Sequence, residues 1–473
     1  MIDTARPPSV DPHMSSALLL AAAVAFAAPA DDLDLTPGAW PMFRGPNGVG
    51  VGADPLPADL IRPENLRWQV DVPGRGWGSP VVADGPEGPT VYVPTATPDG
   101  TQMDVLAYDL ATGEERWVRK LFTVAEPDFT HPTNTYASCT PVATRDVVFV
   151  HFGKYGTAAL DTKNGHTLWE RRDFECDHFR GPASSPLLVQ FDGLSPRLIV
   201  PFDGVGEDDQ YVVALDAATG ETLWRTGRDP EVQDVVPDLR KAYGTPVLAE
   251  VGDRTLVVTT GAIATDFLDP ATGERVWRVK HGGMNSGSAP QVLQSPLGVA
   301  SDAVLVTTGD APTSLALLAT DSDLTQTKGA AASDPALAWS SNAGAPKRAT
   351  PLLLSLGQAV TVDDGGVASM VALGSDVDGD GGEVLSRVRL GDSYWSSPVR
   401  AGGTIFTFGK EGAATTLETG VFRGGADAPP ELKVAHKSTL DEGVWATPAL
   451  VGGGLVLRTE HTLRFYHPDG TNE

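Results

Sequence analysis

An Asp followed four residues later by Gly and eight residues later by Trp recurs four times in this chain. The copies are Asp109-Gly113-Trp117, Asp161-Gly165-Trp169, Asp216-Gly220-Trp224 and Asp269-Gly273-Trp277. A supersecondary unit repeated at this scale cannot bury its apolar face alone, so the copies must stack on one another. Ahead of each Asp lies a short apolar run, such as Val105 to Tyr108 or Val212 to Leu215. Each run reads as a strand entering a tight hairpin. The Asp carboxylate accepts backbone N–H groups in the turn, and Gly supplies a positive φ at little cost. The Trp then falls on the returning strand, where Trp117, Trp169, Trp224 and Trp277 are expected to be buried between neighbouring sheets.

A second marker keeps the register. Ser or Thr precedes Pro80, Pro141, Pro186, Pro246, Pro351, Pro398 and Pro448, and Ala289-Pro290 fills the remaining slot. Proline is tolerated at the first residue of a strand, where its nitrogen owes no ladder bond. Intervals of 44 to 61 residues between these prolines suit a four-stranded blade. The expected fold is therefore all-β, an eight-bladed β-propeller of four-stranded antiparallel blades. Only 25 residues follow Pro448, enough for three strands. The missing fourth strand is Asn65 to Val70, which carries Trp68, and its pairing with the last blade would remove the open edges. Three segments result: 1–30 as an export segment, 31–64 as an N-terminal extension and 65–473 as the propeller.

The Ala-Leu-Asp-x-x-Thr-Gly-x-x-x-Trp pattern resembles the repeat of pyrroloquinoline-quinone-type β-propellers. Trp40 to Gly48, Pro73 to Pro80 and Asp177 to Pro182 resemble a group of secreted bacterial propellers of planctomycete type. The same repeat occurs in quinoprotein alcohol dehydrogenases and in the lipoprotein scaffold of the outer-membrane barrel-assembly machine. The resemblance implies the fold, and no single function comes with it.

A formal charge of −26 disfavours non-specific binding of nucleic acid, because the phosphate backbone would be repelled. The apolar stretch Ala17–Ala28 followed by Ala-Pro-Ala-Asp-Asp has the length of a signal-peptide core and is short for a membrane span. Arg6 is the only basic residue upstream, against Asp3 and Asp11, and Met14 is an alternative start. Export to the periplasm or beyond is expected, with no transmembrane span and a monomeric state. The two cysteines, Cys139 and Cys176, either form a disulfide that staples two loops or remain buried thiols.

Loops joining one blade's outer strand to the next blade's inner strand converge around the central channel. Three are long: Trp117 to Pro141, Trp169 to Pro186 and Trp224 to Pro246. They hold His131, Tyr136, Asp177, His178, Arg180, Lys241 and Tyr243. The position three before each marker proline points to the same mouth, and it adds Trp77, Arg348, Trp395 and Trp445. Aromatic faces beside Arg and His suit a carbohydrate or a protein side chain; ordinary packing at the blade ends is the alternative. Asp376, Asp378, Asp380 and Glu383 resemble a calcium loop, with strands on either side where a helix would normally stand. A solvated Asp-rich hairpin explains the same residues.

Three functions compete. The first is an exported, non-catalytic binding or scaffold propeller for a carbohydrate or protein partner. The second is a quinone-dependent dehydrogenase. Family resemblance would then require a vicinal disulfide over the quinone, whereas Cys139 and Cys176 stand 37 residues apart, so pyrroloquinoline quinone is not expected. The third is a channel-mouth hydrolase or lyase using Asp177, His178 and Arg180.

Overall fold

The marker prolines set the architecture. In the computed structural model each one immediately precedes the innermost strand of a blade. These inner strands are Val81–Gly85, Val142–Ala143, Leu187–Phe191, Val247–Val251, Gln291–Leu293, Leu352–Leu354, Val399–Ala401 and Ala449–Val451, for blades 1 to 8 in order. Three further antiparallel strands follow outward in each, which makes an eight-bladed β-propeller. The structure describes residues 33–191, 193–251, 254–281, 288–293, 303–308, 314–319, 337–354, 357–374, 381–420 and 431–468. Among them, no helix is long and apolar enough to cross a membrane.

Blade 8 is closed from the other end of the chain. Leu66–Asp71 pairs antiparallel with Thr462–Tyr466 and sets Trp68 opposite Phe465. The ring therefore has no open seam there.

The Asp–Gly–Trp spacing is an inter-blade joint. Asp109 Oδ1 accepts the N–H groups of Ala111 and Thr112 at 2.9 and 2.8 Å, which fixes the turn. The indole of the preceding blade then docks on it. Trp68 Nε1 donates to the Leu110 carbonyl at 2.8 Å, and its ring lies on Gly113. Trp117, Trp169 and Trp224 repeat this with the carbonyls of Thr162, Ala217 and Pro270 at 2.9 to 3.0 Å. Trp117, Trp169, Trp224 and Trp277 are all buried, so the scaffold role expected of them holds.

The hydroxyl of each Ser/Thr-Pro marker has its own role at the inner rim. It accepts the backbone N–H of the marker residue one blade earlier, as in Ser79 N to Thr140 Oγ1 at 3.0 Å and Thr447 N to Ser79 Oγ at 3.0 Å. Seven such bonds run around the channel. Ala289 is the one marker without a hydroxyl.

Residues 35 to 52 fill the channel, and the chain then runs over blade 7, where Thr404 and Thr416 donate to the carbonyls of Leu56 and Ala58. Trp40 bridges Val82 of blade 1, Pro37 bridges Thr144 beside blade 2, and Gln190 of blade 3 donates to the Leu35 carbonyl. A Cβ on Gly48 would touch Val247 of blade 4, and Gln291 of blade 5 donates to the Gly48 carbonyl. Arg44 reaches the carbonyls of Thr350 and Pro351 in blade 6. Val51–Gly52 forms a short strand parallel to the inner strand of blade 7, and Gly52 abuts Leu450 of blade 8. This one segment reaches all eight blades at or beside their inner strands.

Candidate functional site at the channel mouth

One end of the channel opens into a pocket of about 180 Å³. Seven of the eight positions three before a marker proline line it: Trp77, Ser138, Ala183, Tyr243, Arg348, Trp395 and Trp445. The eighth, Gly287, lies outside the described residues. Each position stands just before an inner strand begins, so the propeller's near-symmetry carries all of them to one rim. Phe43 of the channel-filling segment closes the pocket below, beside the marker hydroxyls.

The three tryptophans form one cluster. Trp77 and Trp445 stack with centroids 4.7 Å apart and planes 7° from parallel. Trp395 meets Trp445 edge-on at 4.9 Å. Cations cover them: the Arg348 guanidinium lies 3.8 Å above Trp395, and Lys410 Nζ stands 4.6 Å from Trp395 and 4.9 Å from Trp445. Such contacts hold a charged group in place without neutralising it.

Two carboxylates balance only part of this charge. Asp364 pairs with Arg348. Burial pushes the Asp364 carboxyl up, while Arg348, Lys347 and Lys410 all favour its charged form. Asp238 pairs with both Arg180, at 3.1 Å, and Lys241, at 2.6 Å. Tyr243 Oη and Arg180 Nε are buried without a hydrogen-bond partner among the described residues. Burial also raises the Tyr243 pKa, so its hydroxyl keeps its proton.

Two of the three long loops are tied to each other behind this wall. Asn134 Nδ2 donates to the carbonyls of Arg180 and Pro182 at 2.9 and 3.1 Å, and Trp77 Nε1 donates to the Thr133 carbonyl at 3.3 Å. The Thr133 N–H donates to His131 Nδ1 at 3.2 Å, which turns the imidazole to the pocket edge.

Four residues expected at the mouth are placed elsewhere. Tyr136 is buried against Tyr155 and donates its hydroxyl to the Asp128 carbonyl at 2.6 Å. Lys241 is fully buried, its ammonium 4.4 Å from the Phe179 ring and turned to Asp238. Asp177 caps its own turn by accepting the Phe179 N–H at 2.9 Å. His178 faces inward, where its Nε2 accepts the Lys154 N–H at 3.1 Å. Asp177, His178 and Arg180 therefore form no acid–base group at the pocket. The disulfide is not formed either. Cys139 and Cys176 are both free and buried, and Cys176 Sγ turns to the Asp209 carbonyl and His178 Nδ1 at 3.6 and 3.5 Å.

Of the calcium candidates, Asp376, Asp378 and Asp380 lie outside the described residues. Glu383 is exposed at the start of the outer strand of blade 6. Among the described residues, no group of three or more His, Cys, Asp or Glu is placed to hold a metal.

The sequence model of a family described as outer membrane protein assembly factor BamB matches residues 62–204 and 208–427. The chain belongs to that family. No curated protein matches it in sequence. Among solved structures, it is similar to the quinohemoprotein alcohol dehydrogenase of Comamonas testosteroni, with TM-score 0.60 and 14% identity over 92% of this chain and 82% of that one. A europium-containing methanol dehydrogenase gives TM-score 0.60 and 13% identity over 89% of both chains. BamB from Moraxella catarrhalis gives TM-score 0.41 and 13% identity, covering 85% of this chain and 99% of that one. At these identities the likeness to the two dehydrogenases establishes the fold alone.

The pocket of this BamB-family propeller does not fit a metal–quinone pair. No Asp or Glu is among the described residues that line it, so a hard cation would find no carboxylate ligand among them. The two cysteines are not adjacent in the chain and cannot form a vicinal bridge. Phe43, Lys410 and the ring of marker hydroxyls went unrecognised as site features in the sequence. The hydroxyls were visible as a repeat, but only their inward placement shows that they form a floor.

Proposed function

We propose that the chain is an exported, monomeric, non-catalytic binding propeller that takes its ligand at the blind channel-mouth pocket. The observation that carries this reading is the composition of the pocket wall. Three tryptophans, two arginines and a tyrosine converge there, and no Asp or Glu is among the described residues that line it. The Asp177–His178 alternative loses its support because His178 is engaged with backbone behind the pocket. Membership of a family described as an assembly factor agrees with a role in binding rather than turnover. Export is supported by the apolar Ala17–Ala28 stretch and the small residues after it.

The test is retention on an array of immobilised glycans and peptides, with the Trp395→Ala/Trp445→Ala double variant alongside. The double variant should lose the wild-type signal while melting within a few degrees of the parent. A fall in melting temperature comparable to that of a core tryptophan variant would show that these rings serve packing. Equal retention by both proteins would move the binding surface elsewhere.

A further inference from the structure

The pocket wall carries two guanidinium groups, those of Arg180 and Arg348. Arg180 pairs with Asp238 through one Nη at 3.1 Å, which leaves other N–H groups of its fork to donate. Arg348 stands on the same side, fixed over Trp395 at 3.8 Å. Arg180, Tyr243 and Arg348 all line the one pocket. Lys410 stands over Trp395 and Trp445, so the rim keeps a cation beyond the Arg348–Asp364 pair on a chain of net charge −26. An oxyanion suits this wall, and a cation would be repelled.

The floor asks for a different chemistry. Ser79, Thr140, Ser185, Thr245, Ser397 and Thr447 all line the pocket. Each hydroxyl oxygen accepts a backbone N–H from the neighbouring blade, at 2.9 to 3.2 Å. That geometry leaves each hydroxyl its own proton to donate. A bare inorganic anion would not span a set of donors spread over six blades. A peptide running through would need a groove open at both ends, and Phe43 lines the inner end of this one. A volume of about 180 Å³ accepts one small ring.

We infer that the pocket binds a pyranose-sized sugar acid. Its carboxylate or sulfate sits between Arg180 and Arg348, and its hydroxyls face the marker hydroxyls of the floor. The inference rests on the pocket-binding reading above and narrows its ligand class. The sugar acid is either a free monosaccharide or the end residue of an acidic chain; the chemistry recognised is the same.

The experiment titrates the whole protein with sodium D-glucuronate, D-glucose, sodium acetate and an oligogalacturonate, following heat and the tryptophan indole N–H resonances. D-Glucuronate should bind and shift the indole signals, with D-glucose and acetate each at least about tenfold weaker. Arg180→Gln should lower glucuronate affinity at least about fivefold and leave glucose unchanged. Arg348→Gln combined with Asp364→Asn keeps the local charge balanced and should do the same. Tighter binding of the oligogalacturonate than of the monosaccharide identifies a chain end as the source; equal or weaker binding identifies the free acid. Equal affinity for glucose and glucuronate would overturn the anion cradle while leaving the pocket reading intact. Acetate binding as tightly as glucuronate would overturn the sugar. Silence of the indole signals with every probe would overturn this inference, and the array result would then judge the pocket reading separately.

Discussion

Arg44 Nη1 donates to the carbonyl oxygen of Pro398 at 2.8 Å, which ties the N-terminal segment to the start of an inner strand more than three hundred residues away. The guanidinium is fully buried, and its other bonds go to the carbonyls of Gly48, Val49, Thr350 and Pro351. Burial pulls its pKa down to about 9, and five carbonyl oxygens offset that by stabilising the charge. Hydrogen bonds to charged groups contribute about 1.5–3 kcal/mol each, and orphaned carbonyls add a desolvation cost. Arg44→Met should therefore destabilise the protein by at least about 3 kcal/mol. The check is the urea midpoint, with the slope of the transition unchanged. A midpoint equal to the parent's would mean that the segment is not part of the cooperative core.

Gly165 tests the joint between blades 1 and 2. Its φ is +69°, and an added Cβ would lie 2.7 Å from the Trp117 ring. Alanine there combines backbone strain with overpacking, for an expected loss of about 2–4 kcal/mol. Gly193→Ala is the control, because its φ is also positive, at +78°, while no atom lies within 4 Å of the added carbon. It should cost only about 1 kcal/mol, the part due to backbone conformation. Equal losses at both sites would show that the tryptophan contact contributes nothing.

Why the sequence disclosed one part of this molecule and concealed another follows from how each part is held. The blades are built on contacts that recur, so Asp216, Gly220 and Trp224 announce the same joint as Asp109, Gly113 and Trp117. Strand order and closure by Leu66–Asp71 were legible for that reason. The channel-filling segment makes a different contact with every blade and has no period to read, so Phe43 and Arg44 stayed hidden. Within the loops, distance from a marker proline gave the rim position of Trp395 or Arg348. It did not give side-chain direction where short 3-10 turns intervene. Pro237–Leu239 stands immediately before Arg240 and Lys241, and Lys241 ends up buried on Asp238.

Acid should weaken the loop that carries His178. Its imidazole is held neutral, with the pKa lowered from 6.5 to about 4 by burial; nearby Lys154 adds to that, against Asp209 and Asp128. Nε2 must remain unprotonated to accept the Lys154 N–H. A folded pKa below the unfolded value means that the unfolded chain takes up the proton first. The stabilisation is complete above pH 6.5 and is lost as the pH falls toward 4. The melting temperature should therefore decline over that interval, and His178→Gln should make the decline shallower. An imidazole resonance titrating near 6.5 in the folded protein would contradict the buried, neutral assignment.

Phe43 decides whether the pocket is blind. It comes from the channel-filling segment rather than from a blade, so truncating it leaves every wall residue in place. Phe43 is half-buried, and Phe43→Ala should cost about 1–3 kcal/mol, less than a full core truncation. The larger effect should fall on binding. Removing the floor lets water reach the donors from below, so an oxyanion between Arg180 and Arg348 would be more solvated and less strongly held. D-Glucuronate affinity should drop at least about tenfold in Phe43→Ala, whereas Phe43→Leu, which keeps an apolar floor, should retain most of it. If both variants bind as the parent does, the ligand does not reach the channel, and contact is confined to the tryptophan rim.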